Sequence, residues 1–249
     1  MLSLFHLNIS EWIWLIVAAV LIGFSKTGIN GFSMPVIPII ALIFGGKEST
    51  GTILPLLILA DLFAIYYYNR HADWKNIKQL IPLVAAGLLL GLFVGEYTND
   101  EQFKMIISIC VIVCLFILIY MEKKGEEAKV PKGKWFYALT GILSGFASMI
   151  GNAAGPIFSV FLLAKGFKKA EFLGTTAWFF FLVNVSKVPM QILAWHNIHL
   201  KTLLLAVILI PAIAIGAILG AYIIKKINEK PFRIIIIVVT AVSAIKLLI

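Results

Sequence analysis

Apolar residues in this chain come in runs too long for a soluble core. Six of them, at roughly 51–69, 79–95, 103–120, 172–194, 202–224 and 232–249, approach the ~20 residues that a helix needs to cross a ~30 Å hydrocarbon layer. Of 249 residues, 61% are hydrophobic and 13% are charged. A soluble domain carries about 25% charged residues. The runs recur along the whole chain, which points to a polytopic all-α membrane protein rather than a soluble domain with an anchor.

Several function classes fall away on composition. The formal net charge is +9, but Lys and Arg gather in short loops between apolar runs, as cytoplasmic loops do. No soluble basic domain exists to carry a nucleic acid, so none is expected as a partner. Trp12 to Phe24 lacks a basic leader and a small-residue cleavage site and is expected to be mature sequence, not a signal peptide. Cys110 and Cys114 sit four apart inside one apolar run, with neither disulfide nor metal spacing. They are expected to act as small apolar residues, with a sulfur relay as the alternative. His196 and His199 have no carboxylate or Cys nearby in sequence, so no metal and no cofactor is expected. Trp12, Trp14, Trp74, Trp135 and Trp195 lie near run ends, where an interfacial belt accounts for them.

Two regions, 12–45 and 135–165, differ from the long runs. Each consists of two short apolar pieces around a polar, glycine-rich break, "SKTGINGFSM" and "SMIGNAAG". The halves also resemble each other. Pro82, Gly87 and Gly91 pair with Pro211, Gly216 and Gly220 at one offset, and so do Asn99, Phe103 and Lys104 with Asn228, Phe232 and Arg233. Upstream, Gly23 and Phe24 pair with Gly145 and Phe146, and Pro35 with Pro156. Ordered matches of this kind indicate an internal duplication. Loop charge then separates two topologies. If each broken region enters the membrane and returns, one side collects fifteen Lys and Arg and the other four. If each crosses, the interior loops divide nine to nine. The positive-inside rule favours the first arrangement. The expected architecture is an inverted repeat: residues 1–120, a charged cytoplasmic linker at 121–134, and residues 135–249. It has six full transmembrane helices, two re-entrant helical hairpins and both termini outside.

Thirteen residues from Trp12 to Phe24 make ~20 Å of helix, enough to reach the middle of the layer. Segment 25–33 is then expected as a hairpin tip near the midplane, where non-helical backbone must be covered by protein or line a wet cavity. Gly28 and Gly31 permit the turn, and Pro35 and Pro156 suit the first turns of returning helices. Two helix N-termini would thus meet at the midplane, an arrangement that favours an anion. Expected substrate contacts are Ser25, Lys26, Thr27, Gly28, Asn30, Gly31 and Ser33 from the first break, and Gly151, Asn152 and Gly155 from the second. Asn184 and Lys187 join them from the 172–194 run. Lys26 has two readings, a fixed partner of Asp61 or a contact to the anion. Asp61 is either that partner or a proton-coupling or gating carboxylate. Lys187 either serves the path or snorkels outward. Thr175 and Thr176 suit capping or packing at least as well as transport.

The stretches "GFSKTGINGFSMPVIP" and "LPLLILADLFAIYYYNRHADWKNIKQLIP" resemble the sulfite exporter TauE/SafE family of bacterial and archaeal membrane permeases. The second half, "GILSGFASMIGNAAGP" followed by "FLGTTAWFFFLVN", is similar to that family as well. The likeness covers nearly the whole chain. It implies carriage of small sulfur-containing anions (sulfite, thiosulfate, sulfoacetate or other organosulfonates) across a bacterial or archaeal plasma membrane. No classical catalytic set is present, so an enzyme is not expected. Export is the expected direction, because an inside-negative potential favours anion exit by ~2.3 kcal/mol per charge per 100 mV. A passive anion channel is the main alternative, and a membrane enzyme or an assembly subunit ranks below it. The expected partners are a small anion and the lipid bilayer, with a homo-oligomer as a further possibility.

Overall fold

The computed structural model describes residues 5, 7–28, 32–124, 133–165, 167, 169–223, 242 and 245. Asn30 and Gly31, most of the 121–134 linker and nearly all of the expected 232–249 span lie outside the described residues. Within them the fold is helical and contains no strand. The first half holds α1 (Ile9–Thr27), α2 (Val36–Phe44), α3 (Gly46–Tyr68), a single 3-10 turn (Asn69–His71), α4 (Trp74–Glu96) and α5 (Asp100–Lys124). The second holds α6 (Lys134–Gly151), α7 (Gly155–Ala164), α8 (Lys169–Leu193) and α9 (Leu200–Ile223).

Polar residues cap helix ends, where backbone groups run out of partners. Asn8 and Glu11 form a reciprocal capping box on α1, with contacts of 2.9 and 2.8 Å. Asn99 and Gln102 do the same at α5. Asp73 caps α4 by accepting from the Asn76 backbone and side chain. Burial raises its carboxyl pKa, but those hydrogen bonds and the Lys75 charge outweigh burial and hold it below the usual value.

Among the described residues five helices are long and apolar enough to cross a membrane: α1, α3 with its 3-10 turn, α4, α8 from Ala170, and α9. Many large apolar side chains point outward, among them Phe93, Phe116, Leu193 and Val207. Such an exterior suits hydrocarbon rather than water. α1 is longer than the 13-residue piece expected from the sequence. It has 19 residues, ~28 Å of helix. Its capping box starts it three residues before Trp12, and the helix continues through Ser25, Lys26 and Thr27. Those three residues form a last helical turn, not a non-helical tip. α1 ends at Thr27 with Gly28 as its C-cap, and α2 begins at Val36, directly after Pro35.

The two halves pack reciprocally, α1 against α9 and α6 against α4. Glycine makes both contacts possible. A β-carbon on Gly23 would lie 2.1 Å from the Ile213 carbonyl oxygen, and one on Gly216 the same distance from that of Val20. In the other pair, a β-carbon on Gly145 would meet the Val84 oxygen at 2.1 Å and one on Gly87 that of Ile142 at 2.0 Å. The contacts show α1 running in the same direction as α9, and α6 in the same direction as α4. The residues paired by the sequence repeat therefore make matching contacts, each with the other half. In lipid, close backbone approach of this sort supplies dispersion contact that the hydrophobic effect cannot. Gly87→Val and Gly216→Val should each destabilise the protein by about 1–3 kcal/mol. Gly155→Ala, where nothing lies within 4 Å of the new carbon, should leave the melting temperature in detergent almost unchanged. Equal melting shifts in the three variants would contradict the reciprocal packing.

Candidate functional site

Among the described residues the buried charged side chains are Asp61 and Lys187, and both stand where α1, α3, α6 and α8 approach one another. The last turn of α1 carries Lys26, whose Nζ lies 2.7 Å from Asp61 Oδ1 of α3. Asp61 is fully buried. Its second oxygen accepts from Asn184 Nδ2 of α8 at 2.7 Å. One turn along α8, the equally buried Lys187 donates to the Ser148 carbonyl at 3.0 Å and to Asn152 Oδ1. Asn152 ends α6 in the left-handed region, at φ 54°, a conformation that Asn tolerates better than most residues. That turn aims its side chain back toward α8. Lys26 also stands 4.5 Å from the centre of the Phe180 ring, within cation–π range.

A cavity of about 30 Å³ lies beside this cluster, lined by Ser25, Lys26, Ser33, Leu57, Ser148, Asn152, Gly155, Phe180 and Asn184. That is room for one or two waters. Ser33 precedes α2 and Gly155 opens α7, so both short helices begin at the cavity. Their partial positive charge adds to the Lys26 ammonium, although in α2 the Val36 and Ile37 N–H groups already donate to the Ser33 and Met34 carbonyls and Pro35 and Pro38 have none. Asn152 Nδ2 is buried and has no hydrogen-bond partner among the described residues. It is a donor without an acceptor beside a space that is open to one.

Not every residue expected at the site lies there. Thr27 is buried against other helices: its hydroxyl donates to the Ala217 carbonyl at 2.6 Å and its carbonyl accepts from Tyr68 Oη at 2.6 Å. It locks α1 to α9 and α3. Gly28 faces Gly220, and Gly151 has Ile107 and Ile37 nearby. Thr175 accepts from the Asp73 backbone N–H and ties α8 to the α3–α4 connection. Asp61 and Lys187 stand behind the cavity rather than on its wall. Sequence reasoning passed over Ser148 and Phe180. Extending the Gly23–Gly145 pairing would have found the serine, since Ser148 holds the place of Lys26. An offset larger by one residue aligns Gly51 and Thr52 with Gly174 and Thr175, and Asp61 with Asn184. Those last two are hydrogen-bonded to each other. Among the described residues no three His, Cys, Asp or Glu side chains come together as a metal site.

The family model described as Sulfite exporter TauE/SafE matches residues 15–247. No curated protein and no solved structure matches the chain.

The ion pair has a direct stability test. Asp61→Leu strands the Lys26 ammonium in the interior and should cost about 3–5 kcal/mol, whereas Lys26→Met combined with Asp61→Leu should recover most of that loss. Thermal unfolding in detergent reads both. A double variant no more stable than Asp61→Leu would show that the two charges are not coupled.

Proposed function

Because this chain belongs to the sulfite exporter TauE/SafE family, a family of membrane transporters for sulfite and related sulfur anions, we propose that the cavity beside Lys26 is where its cargo binds. The observation that carries this reading is the unpartnered Asn152 Nδ2 on a wall shared with an ammonium and the starts of two helices. Sulfite and sulfonates are compact oxyanions with three oxygens. Converging N–H, hydroxyl and ammonium donors match that geometry. Charge adds to the argument. The cluster contains two lysines but one carboxylate, so a bound anion completes the balance.

Lys26, Ser25, Ser33 and Asn152 are the proposed cargo contacts, with Gly155 leaving room at the start of α7. Asp61 holds Lys26 when the site is empty and yields it when the anion arrives. Asn184 holds Asp61 in place, and this exchange of partners is the proposed gating step. We read the two halves as an inverted repeat, with α1–α2 and α6–α7 as the paired hairpins that enter and leave from opposite faces. Alternating access then follows from exchanging the conformations of the halves around a fixed midplane site. A cavity this small favours a carrier over an open channel. Export runs down the membrane potential for any anion.

Proteoliposomes loaded with labelled sulfite or thiosulfate test the proposal. Wild type should release the anion, and Lys26→Met and Asn152→Ala should each slow release by about tenfold or more, the equivalent of ~1.4 kcal/mol. Glu101→Gln, on the exposed start of α5, should behave as wild type. Equal release from wild type, Lys26→Met and protein-free vesicles would reject it.

A further inference from the structure

Lys187 has a protonation problem that the rest of the site does not solve. It is fully buried in the middle of α8. No carboxylate lies within 4.0 Å of its Nζ among the described residues; Asp61 is claimed by Lys26. Its two hydrogen-bond partners, the Ser148 carbonyl and Asn152 Oδ1, are both neutral acceptors. An ammonium has three N–H donors, whereas a neutral amine has two and a lone pair. Two acceptors take both N–H groups of the amine, whereas they leave the ammonium with one donor unmade and no counter-charge. Burial of an unpaired charge is resolved most readily by loss of the proton.

We propose that Lys187 is a neutral amine in the empty carrier and takes up a proton when an anion enters the cavity, so that each singly charged anion crosses together with one proton. The inference rests on the anion-binding reading given above. The route of coupling is Asn152. Its Oδ1 accepts from Lys187, its Nδ2 has no partner among the described residues, and the residue lines the cavity. An anion accepting from Nδ2 polarises the amide, makes Oδ1 a stronger acceptor and places a negative charge one side chain away from Lys187 Nζ. The lone pair of Nζ then binds a proton from the solution to which the site is open. The proton leaves with the anion on the other side, which restores the amine. No other reactant is needed; a monovalent cargo then moves no net charge, so the membrane potential drives export only of a cargo that carries a further negative charge.

The surroundings contain few competing titratable groups. Lys26 from α1 and Asp61 from α3 are the charged groups that face Lys187. From α6 come only Ser148 and Asn152. From α7, Phe158 packs on α8 through Phe179 and Phe180. The 3-10 turn meets α8 at Gly174, and Trp74 of α4 meets it at Trp178, ~13 Å or more along the helix. Arg70, His71 and Lys75 therefore lie away from it. Because binding takes up a proton, anion affinity should fall as pH rises, by up to about tenfold per pH unit once the empty carrier has lost the Lys187 proton.

Methanesulfonate and thiosulfate are suitable probes, since neither changes charge between about pH 6.5 and 9. Calorimetry would measure binding to the purified full chain, and a dye in weak buffer would measure proton uptake. At about pH 8.5 wild type should take up close to one proton per bound anion. Lys187→Arg, which keeps its charge throughout, and Lys187→Met, which has none, should bind with no uptake and a flat pH profile. Binding by wild type without uptake across the whole range would overturn the proton inference and leave the anion site standing. Undiminished uptake by Lys187→Met would overturn it too. Failure of wild type to bind either anion would overturn the proposed function together with this inference.

Discussion

An ammonium and a carboxylate meet 2.7 Å apart inside a chain that is 61% hydrophobic, and α1, α3 and α8 meet around that pair. Neither charge is tolerable there alone. Lys26 is placed by the last turn of α1, and Asp61 by the middle of α3. Asn184 occupies the remaining carboxylate oxygen. Once Asp61 is held from two sides, α1, α3 and α8 have a fixed meeting point. Thr27, the very next residue, fastens α1 to α9 and α3 through its own hydroxyl and carbonyl. The charge pair and the packing lock thus lie within one helical turn.

The reciprocal glycine contacts set where that turn falls. Each half lends its opening helix to the other, α1 to α9 and α6 to α4, with a carbonyl oxygen where a β-carbon would stand. This brings the two broken regions toward a shared centre. The centre is not chemically symmetric. Lys26 in one half corresponds to Ser148 in the other, and Asp61 corresponds to Asn184. Where one half has an ion pair, the aligned positions of the other hold neutral hydrogen-bonding groups, with Lys187 one turn from Asn184. The result is a donor-rich cavity with one internal counter-charge. On the proposed reading, that asymmetry is what favours a negative occupant and lets Lys187 gain a proton when one arrives.

Some of this was legible in the residues alone. Helical structure follows from apolar runs of spanning length, because a backbone in hydrocarbon must pair its own N–H and C=O groups. Interruption near Gly28 and near Asn152 follows from clustered small and polar residues with a proline shortly after. The sulfur-anion family was legible from the order of those breaks along the chain. The helical character of Ser25, Lys26 and Thr27 was not. Ser and Thr next to Gly read as a turn, but Thr27 is held in helix by the Gly23 and Ala217 carbonyls, and the second of these lies in α9.

Spanning length, helical character and the sign of the charge at the breaks are local properties, so neighbouring residues determine them. Which side chains face one another is a property of packing. Asn184 reaches Asp61 across 123 residues of chain, and Thr27 reaches Ala217 across 190. No spacing rule relates such positions. Only the folded arrangement, built from helix contacts that bring distant turns to the same depth, decided that Lys26 would find a carboxylate, that Lys187 would find only neutral acceptors, and that one Asn152 donor would be left over.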